Sequence, residues 1–250
     1  MSDLGVAALA AIIGAMAVGT VVKGVTGGGL PMIGIPVMAT FLGVEDAVVI
    51  MAIPSVLTNG WMVWSNRSAA RRATPLPVLV VTGCVASVLG VVLLASLDDR
   101  WLAGILAGVV ITYLVIRLLR RAPAISEKTD RWLRPVAGSG AGLLQGATGL
   151  SSPVIIMYLH SRRLDRDVYL VTMTSLICLT TAVQAVSLGA AGLYTEARLW
   201  SSLVAMVPIA LVLPVAMRLG RRLSPERFDI VIRWLLAAAA AKLVFDAITG

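Results

Sequence analysis

Two short segments carry the residue types that could hold a small ion. GVTGGGLP, residues 24–31, and GATGLSSP, residues 146–153, both read G-x-T-G-x-x-x-P and lie at a constant offset of 122 residues. Glycines at a helix break let the backbone approach a ligand and leave amide hydrogens unpaired. Gly24, Gly27, Gly28 and Gly29 serve this in the first segment, Gly146 and Gly149 in the second. Pro31 and Pro153 suit the first turn of a following helix, where the missing N–H loses nothing. Such a helix start presents free N–H groups and partial positive charge, which favours an anion. Thr26, Thr148, Ser151 and Ser152 add hydroxyl donors, and Lys23 is the one Lys or Arg close to either segment, with Gln145 at the matching position. This is binding chemistry, with substrate contacts expected at Lys23, the glycines, Thr26, Gln145, Thr148, Ser151 and Ser152. Plainer readings stay open beside it. Membrane-helix glycines also serve close helix packing, a lysine can snorkel to an interface, and helical Thr and Ser often bond their own backbone.

The elements that must position these residues are apolar. Of the 250 residues, 58% are hydrophobic and only 14% charged, against roughly 25% charged in a soluble domain; the mean hydropathy is +0.92. Stretches 4–22, 47–66, 73–97, 135–161 and 168–195 hold no Asp, Glu, Lys or Arg. About 20 apolar residues cross a hydrocarbon core of roughly 30 Å. In lipid the backbone must satisfy its own hydrogen bonds, so the spans are expected as helices. The alternation of a membrane barrel is absent. The start, Met-Ser-Asp, lacks the basic region of a cleavable signal peptide.

The net charge of +8 does not indicate nucleic acid, because the basic residues cluster in short loops. Arg67, Arg71 and Arg72 form one cluster, and Arg117, Arg120, Arg121, Lys128, Arg131 and Arg134 a second. Arg162, Arg163 and Arg166 form a third, and Arg218, Arg221, Arg222 and Arg227 a fourth. The positive-inside rule places all four in the cytoplasm. Spans 47–66, 74–97 and 101–117 then cross in directions opposite to 168–190, 199–217 and 229–248, so the halves are expected as inverted repeats. Stretch 135–161 begins and ends at cytoplasmic loops with about 27 residues, where two crossings need about 40. It is expected to be a re-entrant hairpin of two half-helices meeting at GATGLSSP near mid-membrane. By symmetry GVTGGGLP tips a hairpin from outside, although its first limb, residues 4–22, is long enough to span. Irregular backbone at that depth is tolerated only beside protein or a water-filled cavity, and such breaks mark transporter binding sites.

Other residues offer less. His160 adjoins a basic loop and reads as an interface residue. Lys242 and Asp246 have the spacing of an ion pair on a helix. Asn59, Gln184, Thr174 and Ser175 lie within spans and could line a cavity. Cys84 and Cys178 sit in apolar stretches as packing residues. No P-loop follows GVTGGG, no span has metal-ligand spacing, and no Ser/His/Asp arrangement is evident. The spans lack a central carboxylate, so proton coupling would fall to Lys23 or the substrate.

At the two hairpin motifs the sequence resembles the sulfite exporter TauE/SafE family of bacterial membrane permeases, whose halves each carry an early Gly-rich motif followed by Pro. GVTGGGLP fits that pattern, whereas GATGLSSP departs from it at Leu150, Ser151 and Ser152. Residues 218–246 resemble the family's last loop and helix. The resemblance covers essentially the whole chain. It implies a non-enzymatic carrier, without cofactor, that moves sulfite, sulfonates or related small anions across the bacterial inner membrane. The expected architecture is all-α and multi-pass, with a first repeat over 1–122, a cytoplasmic linker over 123–134 and a second, inverted repeat over 135–250. Each repeat is a broken hairpin plus three transmembrane helices. The partners are a small anion and lipid, with self-association left open and no nucleic acid. A channel and a carrier of non-sulfur carboxylates are the competing readings.

Overall fold

The computed structural model describes residues 6–73, 76–119, 127–162, 164–220, 236–245 and 248. Every element among them is a helix: α1 (Val6–Thr26), α2 (Leu30–Leu42), α3 (Val44–Ser65), α4 (Arg67–Ala70), α5 (Pro77–Ser96), α6 (Asp99–Leu119), α7 (Glu127–Thr148), α8 (Ser152–His160), α9 (Arg166–Ala190) and α10 (Glu196–Gly220). A last apolar helix, α11, covers Leu236–Phe245. Among the described residues five helices, α1, α3, α5, α9 and α10, are long and apolar enough to cross a membrane.

The expected spans therefore recur as helices with ends displaced by a few residues, because polar first turns such as Val44-Glu45-Asp46 extend the helix beyond its uncharged stretch. The span expected over 229–248 lies partly outside the described residues, as does the Asp246 partner proposed for Lys242. Helix α7 starts at Glu127, so residues 127–134 of the expected linker are helical.

Both motifs break a helix. The limbs are unequal, which the expectation of two half-helices missed. Helix α8 has nine residues, about 14 Å at 1.5 Å per residue, and α2 has 13, about 20 Å. Neither can cross the hydrocarbon. Helices α1 and α7 run for 21 and 22 residues, and α1 is unbroken up to its motif.

Side chains are sorted for a lipid surround. Val78, Val81, Val85, Leu89 and Val92 of α5 are exposed, a face no aqueous surface would keep. Exposed Trp64 and Trp132 lie toward the arginine-rich end, and Trp101 and Trp200 toward the opposite end, as in interfacial aromatic belts.

Small residues set the closest packing. Helix α7 lies along α5 in step, with Gly138 against Leu79, Gly142 against Gly83, and Gly146 against Ser87 and Gly90. Helix α1 packs on α10, where a Cβ on Gly24 would fall 2.7 Å from the Ala216 carbonyl carbon. Between these pairs α3 meets α9, and Cys178 Sγ lies 4.0 Å from the Val56 oxygen, a residue 122 positions earlier.

The end opposite the arginine-rich loops is fastened by acids. Asp99 Oδ1 accepts from the Val44 and Glu45 amides at 2.7 and 3.3 Å, capping α3 in place of Gly43, which has no side chain. Arg198 of α10 donates to Asp46 at 2.8 Å and to Glu45 at 2.6 Å.

At the arginine-rich end Asp130 ties the start of α7 to the end of α8. It accepts from Arg134 at 2.6 Å, Arg162 at 3.1 Å and Tyr158 at 2.8 Å. Burial pushes the Asp130 carboxyl up, but the hydrogen bonds from Arg134 and Tyr158 and the Arg162 charge outweigh it and hold the group below its ordinary value. A depressed native pKa contributes stability that is complete above the unfolded value, about 3.9, and is lost as pH falls through the native one. Asp130→Asn is therefore expected to lower the unfolding temperature at neutral pH. The gap to wild type should close once the pH falls below the native Asp130 pKa, as read by thermal unfolding in detergent across pH.

Candidate functional site

The two breaks are built alike. Gly27 N–H donates to the Lys23 carbonyl at 2.8 Å, and Gly149 N–H to the Gln145 carbonyl at 2.8 Å. Both glycines hold positive φ, +84° and +70°, which an L side chain adopts only with strain. Ile33 N–H donates to the Gly29 carbonyl at 3.1 Å and Ile155 N–H to the Ser151 carbonyl at 3.2 Å, starting α2 and α8. Neither start has a side-chain cap, while Pro31 and Pro153 occupy the first turns.

The structure brings the two tips together. A Cβ on Gly28 would lie 3.1 Å from Ser152 Oγ, and one on Gly27 would meet Leu170 of α9. Gly28, Gly29, Gly149, Ser151 and Ser152 are all buried. Gly24 and Gly146 stand one turn back from the tips, in the seams with α10 and α5. Thr26 and Thr148 donate to the Val22 and Leu144 carbonyls at 2.9 and 2.8 Å, and Thr26 also contacts the Gly28 carbonyl. Their hydroxyl hydrogens thus serve the chain itself, as Thr in a helix tends to.

The matching positions 23 and 145 differ in chemistry. Lys23 is fully buried, and its Nζ donates to Asn59 Oδ1 of α3 at 2.6 Å. Gln145 is held in a closed amide network. Its Nε2 donates to Gln184 Oε1 at 2.8 Å, and its Oε1 accepts from Ser151 at 2.6 Å. Gln184 Nε2 donates back to the Gln145 carbonyl at 2.6 Å. Asn59 Nδ2 and Thr181 Oγ1 are buried without a partner.

A cavity of about 1120 Å³ opens at the arginine-rich end, lined by Gly24, Met62, Asn66, Arg72, Arg166 and Arg218 among others. Helix α3 and its C-cap bring Met62 and Asn66 to it, and Gly24 carries its wall up to the residue next to Lys23. Sequence reading flagged these arginines only as loop charges, because the cavity depends on α3, α9 and α10 ending together. His160 is exposed and stacks on Tyr169 at 5.4 Å between ring centroids. Among the described residues no cluster of His, Cys, Asp or Glu could hold a metal ion.

Apolar helices with lipid-sorted surfaces and two broken hairpins define a multi-pass helical membrane protein. Residues 11–243 match the family described as Sulfite exporter TauE/SafE, and the chain belongs to that family. It is a family of membrane transporters of sulfur anions, not of enzymes. No curated protein and no solved structure matched the chain.

Proposed function

We propose that the chain is a secondary carrier that moves a small sulfur-containing anion, sulfite or a sulfonate, across the bacterial inner membrane by alternating access. The anion is held where the two hairpin tips meet, by Lys23 and the groups of residues 24–29 and 145–152. The observation that carries this reading is Lys23. A lysine fully buried at membrane depth is costly, and this one adjoins the cavity whose wall bears Arg72, Arg166 and Arg218 with Asp167 as the one acid among its lining residues. The arginines concentrate anions at the mouth, and the buried ammonium gives them a terminus within the bundle.

Inverted repeats over 1–122 and 135–250 belong to the same proposal, with the arginine-rich end in the cytoplasm. Three observations support the repeat and its inversion. The breaks share their hydrogen bonds at an offset of 122. Helix α5 grips α7 of the other half as α10 grips α1. Helix α3 ends where α9 begins, around the cavity.

The test is flux of sulfite and of a small alkylsulfonate in proteoliposomes. Saturable uptake that is accelerated by the same anion on the far side is expected. Transport of carboxylates alone would move the substrate class. Single-channel currents would replace the carrier with a channel, and silence toward all these anions would overturn the reading.

A further inference from the structure

We infer that Asn59 is a second ligand of the anion, its Nδ2 hydrogens binding one oxygen of an oxyanion while Lys23 binds another; this rests on the anion site proposed at Lys23. A lysine ammonium only donates, so Asn59 must turn its oxygen to Nζ. The 2.6 Å contact fixes that orientation and sends the amide nitrogen the other way. Asn59 is fully buried and its Nδ2 has no partner. A buried donor of this kind is uncommon in a folded protein and is explained by strain, by a functional role or by a bound water or ion; the hydroxyls of Thr172, Thr181 and Tyr194 share the condition, but Asn59 alone sits on the buried lysine. The contrast within the chain argues for a ligand. At the second hairpin every side-chain amide oxygen and nitrogen of Gln145 and Gln184 has a partner, in each other, Ser151 or the Gln145 carbonyl.

Position completes the case. Asn59 and Met62 stand at i and i+3 on one face of α3, and Asn66 follows at its C-cap. Met62 and Asn66 line the cavity, as does Gly24, the residue after Lys23. The Lys23–Asn59 pair therefore lies one helical turn behind the cavity's inner wall. Met62 and Gly24 form part of that wall, and methionine re-packs readily. An anion there would neutralise the ammonium and occupy the orphaned donor together. Two donors one amide group apart suit a group with at least two oxygens on one centre, a sulfite, sulfonate or carboxylate head. A halide offers no second oxygen.

The test measures dissociation constants for sulfite and methanesulfonate on purified, monodisperse protein in detergent. Asn59→Ala leaves Lys23 in place and open to the anion but removes the donor. Binding should weaken at least about tenfold, the size of one lost hydrogen bond to a charged group. If Asn59 merely pairs Lys23, the freed ammonium binds as tightly as before or tighter, and that result overturns the inference. Asn59→Asp keeps Lys23 paired should the alanine variant not fold. It replaces the donor by an acceptor and should lose binding, so wild-type affinity in that variant also overturns the inference. Lys23→Met separates the two proposals. Binding that survives this change defeats the Lys23 site itself, whereas binding lost with Lys23→Met but kept with Asn59→Ala defeats only the role of Asn59.

Discussion

Lys23→Met is expected to abolish anion transport while leaving the protein folded, and stable to at least the wild-type temperature. Truncating one partner of a buried, hydrogen-bonded charge pair costs about 2–5 kcal/mol of binding, a loss of roughly thirtyfold or more. The folded protein responds in the opposite sense. A thioether of similar length takes the place of an ammonium that is fully buried with one hydrogen bond to Asn59. Replacing a buried charge by an apolar group of like volume is often neutral or stabilising. The opposing contribution is Asn59 Oδ1, which loses its donor at about 1–3 kcal/mol. Transport in proteoliposomes and thermal unfolding on the same preparation check the two halves of this expectation. A structural lysine would show the reverse, a fall in unfolding temperature with residual transport in whatever protein remains folded.

Lys23 stood out in the sequence as the one Lys or Arg beside either glycine-rich break, but its full burial against Asn59 did not, because the contact spans 36 residues. The spans were legible because stretches of about 20 residues without charge admit one solution in lipid. The paired breaks were legible from G-x-T-G-x-x-x-P recurring in register, and Gly27 and Gly149 share both φ sign and hydrogen bond. What the sequence hid depends on distances between elements far apart in the chain. Asp99 caps α3 from 55 residues away, and Arg198 meets Glu45 from 153. The Asp130 cluster left one local trace, the i,i+4 spacing to Arg134, but Tyr158 and Arg162 join it only because α8 folds back along α7. Asn59 stood among several polar residues within spans, and nothing local set it apart from Thr174, whose hydroxyl merely bonds the Leu170 carbonyl.

Glycine identity is the sharpest case, since Gly138, Gly140 and Gly142 look alike in the run GSGAG. Gly140→Ala is expected to be tolerated and Gly142→Ala to prevent assembly of the fold, although the two positions are neighbours on one helix. A Cβ on Gly140 meets no atom within 4 Å, and in a helix interior alanine is favoured over glycine by roughly 0.5–1 kcal/mol. A Cβ on Gly142 would overlap the backbone of Gly83 across the seam, and one on Gly146 would overlap Ser87 and Gly90. The obstacle is a main chain in both cases, so no rotamer change relieves it. Helices α5 and α7 would have to part along their length, and this is the most extensive helix pairing among the described residues. Ordinary overpacking costs about 1–3 kcal/mol; a separation of two backbones exceeds that, because every contact of the seam is stretched together and lipid offers no hydrophobic drive to restore it. The same displacement would move Gln145, which leans on Gln184 from the far end of α7, and with it the second hairpin tip. Yield of monodisperse protein after detergent extraction separates the variants. Equal yields for Gly140→Ala and Gly142→Ala would mean that α5 and α7 do not meet along these glycines.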